Sequence, residues 1–326
     1  MAIGRRELFE AALAAGLAAA APARTQAAGE PEGPRWPSRE RFPLWPGRAP
    51  GAPAALPVPA PSMNGPPGAR ELWLRGIAAP EVHVFRPSEA DGSSLLSIPG
   101  GGYGFLSVQS EGLDVARRFN PQGVTVFVLV YRLPGEGWAE RHLVPLQDAQ
   151  RAMRLIRARA AEFRIDPARL GILGFSAGGH LAADLAVASG DHTYAPVDAA
   201  DRQSARPAFA GLAYPVTSLQ PRIGHSGSRA MLLGDSPPAA LTDARSPLLH
   251  VNAQTPPCFV VHAFDDTVVV PENSLEWIAA CRAAGVPVEG HLFEKGGHGF
   301  GLQTSAERPG SRWPEIFGLW IRDVAA

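Results

Sequence analysis

The chain has few cysteines and almost no net charge. Only 2 of its 326 residues are cysteines, Cys258 and Cys281, and no C-x-x-C pair or Cys/His cluster of the zinc type occurs. This excludes a disulfide framework, and two buried thiols are predicted, with a bridge between them as the alternative. The formal net charge is −1, from 30 basic and 31 acidic residues, so the composition argues against nucleic acid as a partner.

A long hydrophobic run is missing as well. The alanine-rich stretch over residues 11–21 is too short and too weakly apolar for a membrane span. It follows Arg5 and Arg6 and precedes small residues suited to cleavage, which is the architecture of a signal peptide. Residues 1–28 are therefore predicted to be a signal peptide of the twin-arginine type, for a periplasmic or secreted protein. An ordinary Sec signal or an amphipathic helix is the alternative.

Proline and glycine are dense in the next segment, residues 29–68, and exclude a continuous helix or a central strand there. The segment is predicted to be an extended arm that lies over the domain, with Trp36, Phe42 and Trp45 as anchors. A disordered linker is the alternative, against which the three aromatic residues argue.

Strand-like and helix-like runs alternate through the remaining chain, residues 69–326. Strands are predicted at 72–75, 82–86, 94–98, 124–131, 170–174, 209–214, 259–263 and 288–294. Helices are predicted at 111–119, 146–163, 177–188, 271–284 and 313–324. This alternation predicts an α/β fold with a mostly parallel central sheet and helices on both faces. Ligands of such folds bind beyond the carboxyl ends of the strands.

The stretch GFSAG places Ser176 between a predicted strand and a predicted helix. A serine that only caps the helix would not need glycine at both ends of this stretch. A G-x-S-x-G turn between strand and helix instead lifts the serine hydroxyl above the sheet edge, as a nucleophile requires. We interpret Ser176 as the nucleophile of an acyl transfer reaction.

A glycine-rich loop, PGGGYG, follows the predicted strand 94–98 and can supply an oxyanion hole. Backbone N–H groups of Gly100, Gly101 and Gly102 can turn toward a developing oxyanion, together with the N–H of Ala177. The oxyanion hole is assigned to Gly101, Gly102 and Ala177. A phosphate-binding loop is the alternative, but the G-K-[ST] sequence that it requires is absent.

A serine nucleophile needs a base and an acid that orients the base. His298 lies in a glycine cluster after the last predicted strand, and Asp265 and Asp266 follow the preceding strand. The order Ser176, Asp266, His298 is the order of the α/β-hydrolase plan. This chemistry proceeds through an acyl-serine, with neither metal nor cofactor. His180, on the helix behind the serine, is predicted to be a packing or capping residue.

These motifs resemble the α/β-hydrolase superfamily, and in particular its acetyl esterase/lipase branch with acetylxylan-esterase-like carbohydrate esterases. The resemblance rests on PGGGYGFLS, IDPARLGILGFSAGGHLAA and LFEKGGHGFGL, within a similarity that runs from about residue 44 to the C-terminus. Pro99 departs from it, because related enzymes often carry a histidine before the glycines, which braces the loop. The resemblance implies hydrolysis of short-chain carboxylic esters, such as acetyl groups on plant polysaccharide.

The resemblance also favours one of the two aspartates as the acid that orients the histidine. Related hydrolases often read H-G-x-x-D-x-x-V here, which matches His262, Asp266 and Val269, with Asp265 left as a loop cap or rim carboxylate. The register that makes Asp265 the acid is only slightly worse and stays open. Other functions stay open too: a lipase or serine peptidase of the same fold, or an inactive secreted binding protein. The predicted substrate is a small-molecule or polysaccharide ester.

Overall fold

Strands and helices alternate along the chain. The computed structural model describes residues 33–65, 70–302 and 306–324, and the predicted signal peptide lies outside them. The strands are β1 (Glu40–Pro43), β2 (Ser62–Asn64), β3 (Glu71–Leu74), β4 (Glu81–Phe85), β5 (Ser94–Ile98), β6 (Leu106–Ser107), β7 (Thr125–Val130), β8 (Leu170–Phe175), β9 (Ala210–Ala213), β10 (Cys258–Ala263) and β11 (Val288–Phe293). The helices are α1 (Asp114–Phe119), α2 (Val144–Ala158), α3 (Ala160–Phe163), α4 (Ser176–Ala188), α5 (Ser226–Leu233), α6 (Ala239–Ala244), α7 (Glu272–Ala283) and α8 (Trp313–Val324).

The central sheet has eight strands, in the order β1-β4-β7-β5-β8-β9-β10-β11. Neighbours from β7 through β5, β8, β9 and β10 to β11 are parallel, whereas β4 is antiparallel to β7 and β1 to β4. Strands β2, β3 and β6 form a small antiparallel sheet. The predicted fold class is confirmed. Because the central strands are parallel, the loops that follow β5, β8, β10 and β11 emerge at one edge of the sheet.

Helices cover both faces of this sheet. Leu96 of β5 belongs to the same buried cluster as Leu181 of α4, whereas its neighbour Leu95 joins Phe119 of α1 and Phe317 of α8. Successive strand residues point to opposite faces, so a strand buried on both sides must be apolar throughout. The unbroken apolar runs of the sequence follow from this arrangement. Among the described helices, none has the length and apolar character needed to cross a bilayer.

Several elements differ from the sequence prediction. The predicted helix 146–163 is interrupted at Arg159, whose φ of −108° and ψ of 18° separate α2 from α3. Helices α5 and α6 and strands β1, β2 and β6 were not predicted. Strand β1 lies in the proline-rich arm, and the structure pairs it only with β4 at the sheet edge, where proline is tolerated.

The aromatic residues of the arm lie against the domain. Trp36 stacks on His83 with 4.1 Å between ring centroids. Phe42 and Trp45 are buried, and the Trp45 indole N–H donates to Asp148 Oδ1 at 2.8 Å. Tryptophan is buried most readily where its N–H has such an acceptor, so this bond fixes the arm at the sheet edge.

Candidate active site

Ser176 lies at a sharp turn from β8 into α4. Its φ is +53°, a left-handed conformation that is strained for a residue other than glycine. The chain passes very close to other backbone here: a Cβ at Gly178 would lie 2.1 Å from the Ile98 carbonyl oxygen, and one at Gly174 would lie 2.3 Å from the Gly178 oxygen. The two glycines of G-x-S-x-G are therefore required by close packing, and the turn presents the serine at the sheet edge.

The structure brings Ser176, His298 and Asp266 together in one hydrogen-bonded chain. The Ser176 Oγ lies 2.9 Å from His298 Nε2, and His298 Nδ1 lies 2.7 Å from Asp266 Oδ2. Asp266 is buried, whereas the His298 side chain is 19% exposed. These contacts join loops that lie 122 and 32 residues apart in sequence, and they have the geometry of a nucleophile, a base and an orienting acid.

Four donors converge on the Asp266 carboxylate. Oδ2 also accepts from His262 Nε2 at 3.1 Å, and Oδ1 accepts from the N–H groups of Val268 and Val269 at 2.9 Å each. Burial alone would raise the pKa of this carboxyl, but the hydrogen bonds from His262 and His298 hold it well below its usual value. A carboxyl with a lowered pKa is ionised at neutral pH and can orient an imidazole.

Asp265 has a different role in the geometry. Its Oδ1 accepts the N–H groups of Gly296 and Gly297 at 2.8 and 2.7 Å. These bonds, led by that from Gly297, lower the pKa of its exposed carboxyl. Asp265 thus caps the loop that carries His298, and Asp266 is the residue that contacts the imidazole.

The glycines of the glycine-rich loop have two different surroundings: some line the pocket, and one is held in the interior. Gly101 and Gly102 line the pocket beside Ser176, and Ala177 is buried in the first turn of α4. The expectation that Gly100 could also face the oxyanion was wrong, because its N–H donates to Glu111 Oε2 at 2.7 Å. The buried carboxylate of Glu111 occupies the Gly100 N–H, which is therefore not available to an oxyanion. The spacing of residues in the sequence did not indicate this contact.

The pocket above Ser176 has a volume of about 400 Å³. Its walls combine aromatic, hydroxyl and carboxyl groups. Its lining comprises Glu71, Trp73, Gly101, Gly102, Phe105, Ser107, Ser110, Glu111, Ser176, His225, Val268, His298 and Gly299. Within the described part of the chain, no group of three or more His, Cys, Asp or Glu side chains is arranged to hold a metal ion.

Two further histidines lie near the site. His180 is buried, with Nδ1 2.7 Å from the Tyr103 hydroxyl and Nε2 2.9 Å from the Arg245 carbonyl, so it is a packing residue, one of the two roles predicted for it. His225 caps α5 by accepting from the Ser228 N–H and also lines the pocket. Both predicted thiols, Cys258 and Cys281, are free and buried.

Sequence reasoning missed Glu111 and Tyr214. Glu111 was assigned only to the start of a helix, but it lies in a π-helical turn, Gln109–Leu113, directly before α1. Such turns occur often at functional sites. Tyr214 follows β9, and its hydroxyl donates to Glu111 Oε1 at 2.9 Å.

Folding stability should depend on pH through Glu111. Burial raises the pKa of its carboxyl to about 7, despite hydrogen bonds from Gly100 and Tyr214 that lower it. From about pH 4.5 to 7 the folded protein thus keeps a proton that the unfolded chain releases, so this contribution to stability is lost as the pH rises. The full effect is on the order of 3 kcal/mol. The Tm of the wild type relative to Glu111→Gln should therefore fall between about pH 4.5 and 7. Parallel curves would contradict this assignment.

Comparison with known protein families identifies the chain. Residues 83–280 match the profile of the BD-FAE family. The chain belongs to the BD-FAE family. The resemblance to esterases of the α/β-hydrolase superfamily, inferred from the serine, glycine and histidine motifs, is thereby confirmed.

Two curated relatives have similar sequences. An acetylxylan esterase of Xylanibacter ruminicola is 31% identical over 250 residues, which cover 76% of this chain and 48% of the relative. Endo-1,4-beta-xylanase B of Butyrivibrio fibrisolvens is 37% identical over 205 residues, which cover 63% of this chain and 32% of the relative. The BD-FAE chain thus spans about half the length of these relatives, or less. The relatives support the predicted enzyme class, a hydrolase acting on carboxylic ester bonds.

Solved structures agree with this family. An acetyl ester-xyloside bifunctional hydrolase of Caldicellulosiruptor lactoaceticus has 34% identity and a TM-score of 0.73, with 88% of this chain and 97% of that chain covered. The carboxylesterase Cest-2923 of Lactobacillus plantarum has 23% identity and a TM-score of 0.62, which supports the fold alone.

Proposed function

We propose that this protein is a secreted serine carboxylesterase that removes short acyl groups, acetyl above all, from carbohydrate esters. The observation that carries the proposal is the hydrogen-bonded chain from Ser176 through His298 to Asp266 at the wall of an open pocket. The relatives named acetylxylan esterase and acetyl ester-xyloside hydrolase support the choice of acetyl esters on plant polysaccharide.

The reaction follows from the geometry. Ser176 Oγ attacks the ester carbonyl carbon while His298 Nε2 takes the hydroxyl proton, and the carbonyl electron pair moves onto the oxygen. The N–H groups of Gly101, Gly102 and Ala177 stabilise this oxyanion. The C–O bond to the alcohol then breaks, and His298 returns the proton to the departing oxygen. Water, deprotonated by His298, hydrolyses the acyl-serine and releases the acid.

The pocket favours a small acyl group and a polar alcohol. Its walls carry the carboxyl of Glu71 and the hydroxyls of Ser107 and Ser110 beside the ring of Trp73. The two serine hydroxyls donate to Glu71 Oε1 at 2.7 and 3.0 Å, and a long acyl chain placed against this carboxylate would remove water from it at a cost in free energy. A sugar can instead place its hydroxyls against these polar groups, beside the tryptophan, one face of which is stacked on Phe105 with 3.9 Å between ring centroids.

Turnover of p-nitrophenyl esters tests this choice of acyl group. We expect hydrolysis of the acetate, a kcat/KM at least about tenfold lower for the octanoate, and none for the palmitate, since each poorly accommodated methylene costs transition-state binding. Acetate release from acetylated xylan should accompany the activity on the synthetic acetate.

The same assays separate the alternatives. A preference for palmitate would indicate a lipase, and cleavage of a peptide anilide would indicate a peptidase. If no ester is hydrolysed by the folded protein, it is a binding protein on a hydrolase fold, and the proposed function is wrong.

Export is proposed from Arg5 and Arg6 and the apolar stretch that follows them. The double variant Arg5→Lys with Arg6→Lys should retain the full-length precursor inside a bacterial host, because the twin-arginine pathway reads both guanidinium groups. Cell fractionation with an antibody to the chain measures this. An unchanged periplasmic yield would show that another route exports the protein.

A further inference from the structure

Glu111 is buried directly beneath the oxyanion loop. It is 6% exposed, and each of its carboxyl oxygens accepts one strong hydrogen bond. Oε2 accepts the Gly100 N–H at 2.7 Å, and Oε1 accepts the Tyr214 hydroxyl at 2.9 Å. In the catalytic scheme above, Glu111 has no part.

The contacts of Glu111 extend to the other side of Ser176. The Tyr214 oxygen accepts the Gly301 N–H at 3.1 Å, and the Tyr214 ring packs edge-on against His298 with 5.2 Å between centroids. Gly301 is held in turn by the Trp313 indole, which donates to its carbonyl at 2.8 Å. One buried carboxyl therefore connects the oxyanion loop to the loop that carries the histidine.

We propose that Glu111 is a positioning residue that holds the oxyanion loop and, through Tyr214, the histidine loop in register with Ser176. This inference deepens the proposed esterase function and rests on it. Glu111 fixes the two loops relative to each other, so that the N–H groups of Gly101 and Gly102 meet the carbonyl oxygen of a bound ester while the imidazole of His298 meets the Ser176 hydroxyl and the leaving-group oxygen.

The loop needs such a brace at this position. Pro99 has no N–H to donate, and its carbonyl accepts from the Tyr131 hydroxyl at 2.8 Å. The next donor along the chain, Gly100, would be unsatisfied in the interior without the Glu111 carboxyl. The backbone of Gly101 then turns out toward the pocket, with a φ of +124°.

The network is complete only when Glu111 is ionised. The carboxylate accepts from Gly100 and Tyr214, which leaves the Tyr214 oxygen free to accept from Gly301. A protonated Oε1 would have to donate to Tyr214, and the tyrosine proton would then lose its acceptor. Burial, and the negative charge of Glu71 on β3, raise the pKa of Glu111, while Gly100, Tyr214 and the charge of His298 lower it. His225 faces the same pocket.

Glu111→Gln tests the proposal, because the amide keeps the shape but loses the charge and one acceptor. With p-nitrophenyl acetate we expect kcat/KM to fall about 10- to 100-fold, mostly in kcat, as for loss of an oxyanion contact. Phenylboronic acid, which forms a tetrahedral adduct with the serine, should bind more weakly by a similar factor.

The pH dependence of kcat/KM provides a second readout. In the wild type, Glu111 and His298 must both lose a proton for activity, so kcat/KM should fall toward acid pH with the slope of two protonations. In Glu111→Gln only His298 titrates, so the slope should be that of one protonation.

Two further variants complete the experiment. Tyr214→Phe keeps the ring against His298 but removes the hydroxyl that links Glu111 to Gly301, and it should lose activity in the same pattern. It tests the link if Glu111→Gln does not fold. Glu136→Gln is the matched control, since this half-buried carboxylate also accepts two backbone N–H groups, at 2.6 and 2.9 Å, but outside the pocket lining. It should keep wild-type kinetics.

The outcomes distinguish the two proposals. If the wild type hydrolyses the acetate, Ser176→Ala does not, and Glu111→Gln has wild-type kcat/KM, boronic acid affinity and pH profile, the positioning role is overturned and the esterase stands. Lost activity with unchanged boronic acid affinity would also overturn it. If the folded wild type hydrolyses no ester, both proposals fail.

Discussion

Ser176→Ala is expected to lower kcat by a factor of about 10⁴ or more, with folding retained. In the proposed mechanism the hydroxyl is the group that attacks, and without it the oxyanion donors and the pocket can only assist water. Alanine keeps the Cβ and the turn conformation, and the partly exposed His298 can replace the lost 2.9 Å contact with water. Rates with p-nitrophenyl acetate and Tm together measure both parts of the prediction.

Ser246→Ala is the matched control for this variant. Its buried hydroxyl donates to the Thr242 carbonyl at 2.7 Å and accepts from the Leu219 N–H at 2.9 Å, away from the residues that line the pocket. Its loss should lower Tm because a buried N–H is left unsatisfied, while kcat stays unchanged. A Ser176→Ala enzyme within about tenfold of wild type would rule out the serine mechanism.

Asp266→Asn should lower kcat by about 10⁴, the cost of removing the orienting charge in a serine protease triad. The amide NH₂ would face His298 Nδ1 and favour the tautomer with the proton on Nε2, where the base must be free to accept from Ser176. His262 would lose its acceptor on Asp266 as well. The kcat of the purified variant, with circular dichroism to verify the fold, measures this effect.

Asp265→Asn provides the contrast at the neighbouring position. A single oxygen of Asp265 accepts both glycine N–H groups, and asparagine retains an equivalent oxygen. We therefore expect near wild-type kcat and a slightly lower Tm. If Asp265→Asn abolishes turnover and Asp266→Asn does not, the acid is assigned one residue too late.

Local sequence carried most of the information on the fold and on the proposed nucleophile. Ser176 could be recognised because the strand, the turn and the helix that position it are contiguous, and because close packing restricts Gly174 and Gly178 to glycine. The parallel sheet was predictable for a similar reason, since strands buried on both faces leave unbroken apolar runs. His298 was found because its glycine-rich loop directly follows β11.

Only the tertiary structure distinguished groups that are equivalent in sequence. Asp265 and Asp266 are adjacent carboxylates, and the direction in which each points depends on how the loop after β10 meets the loop after β11. Gly100 differs from Gly101 because its N–H donates to Glu111. Glu111 in turn accepts from Tyr214, which lies 103 residues away in sequence. The periodicity of a sequence indicates which face of its own helix or strand a residue occupies. The contacts described here depend instead on which helices, strands and loops become neighbours, and the assembly of the sheet decides this.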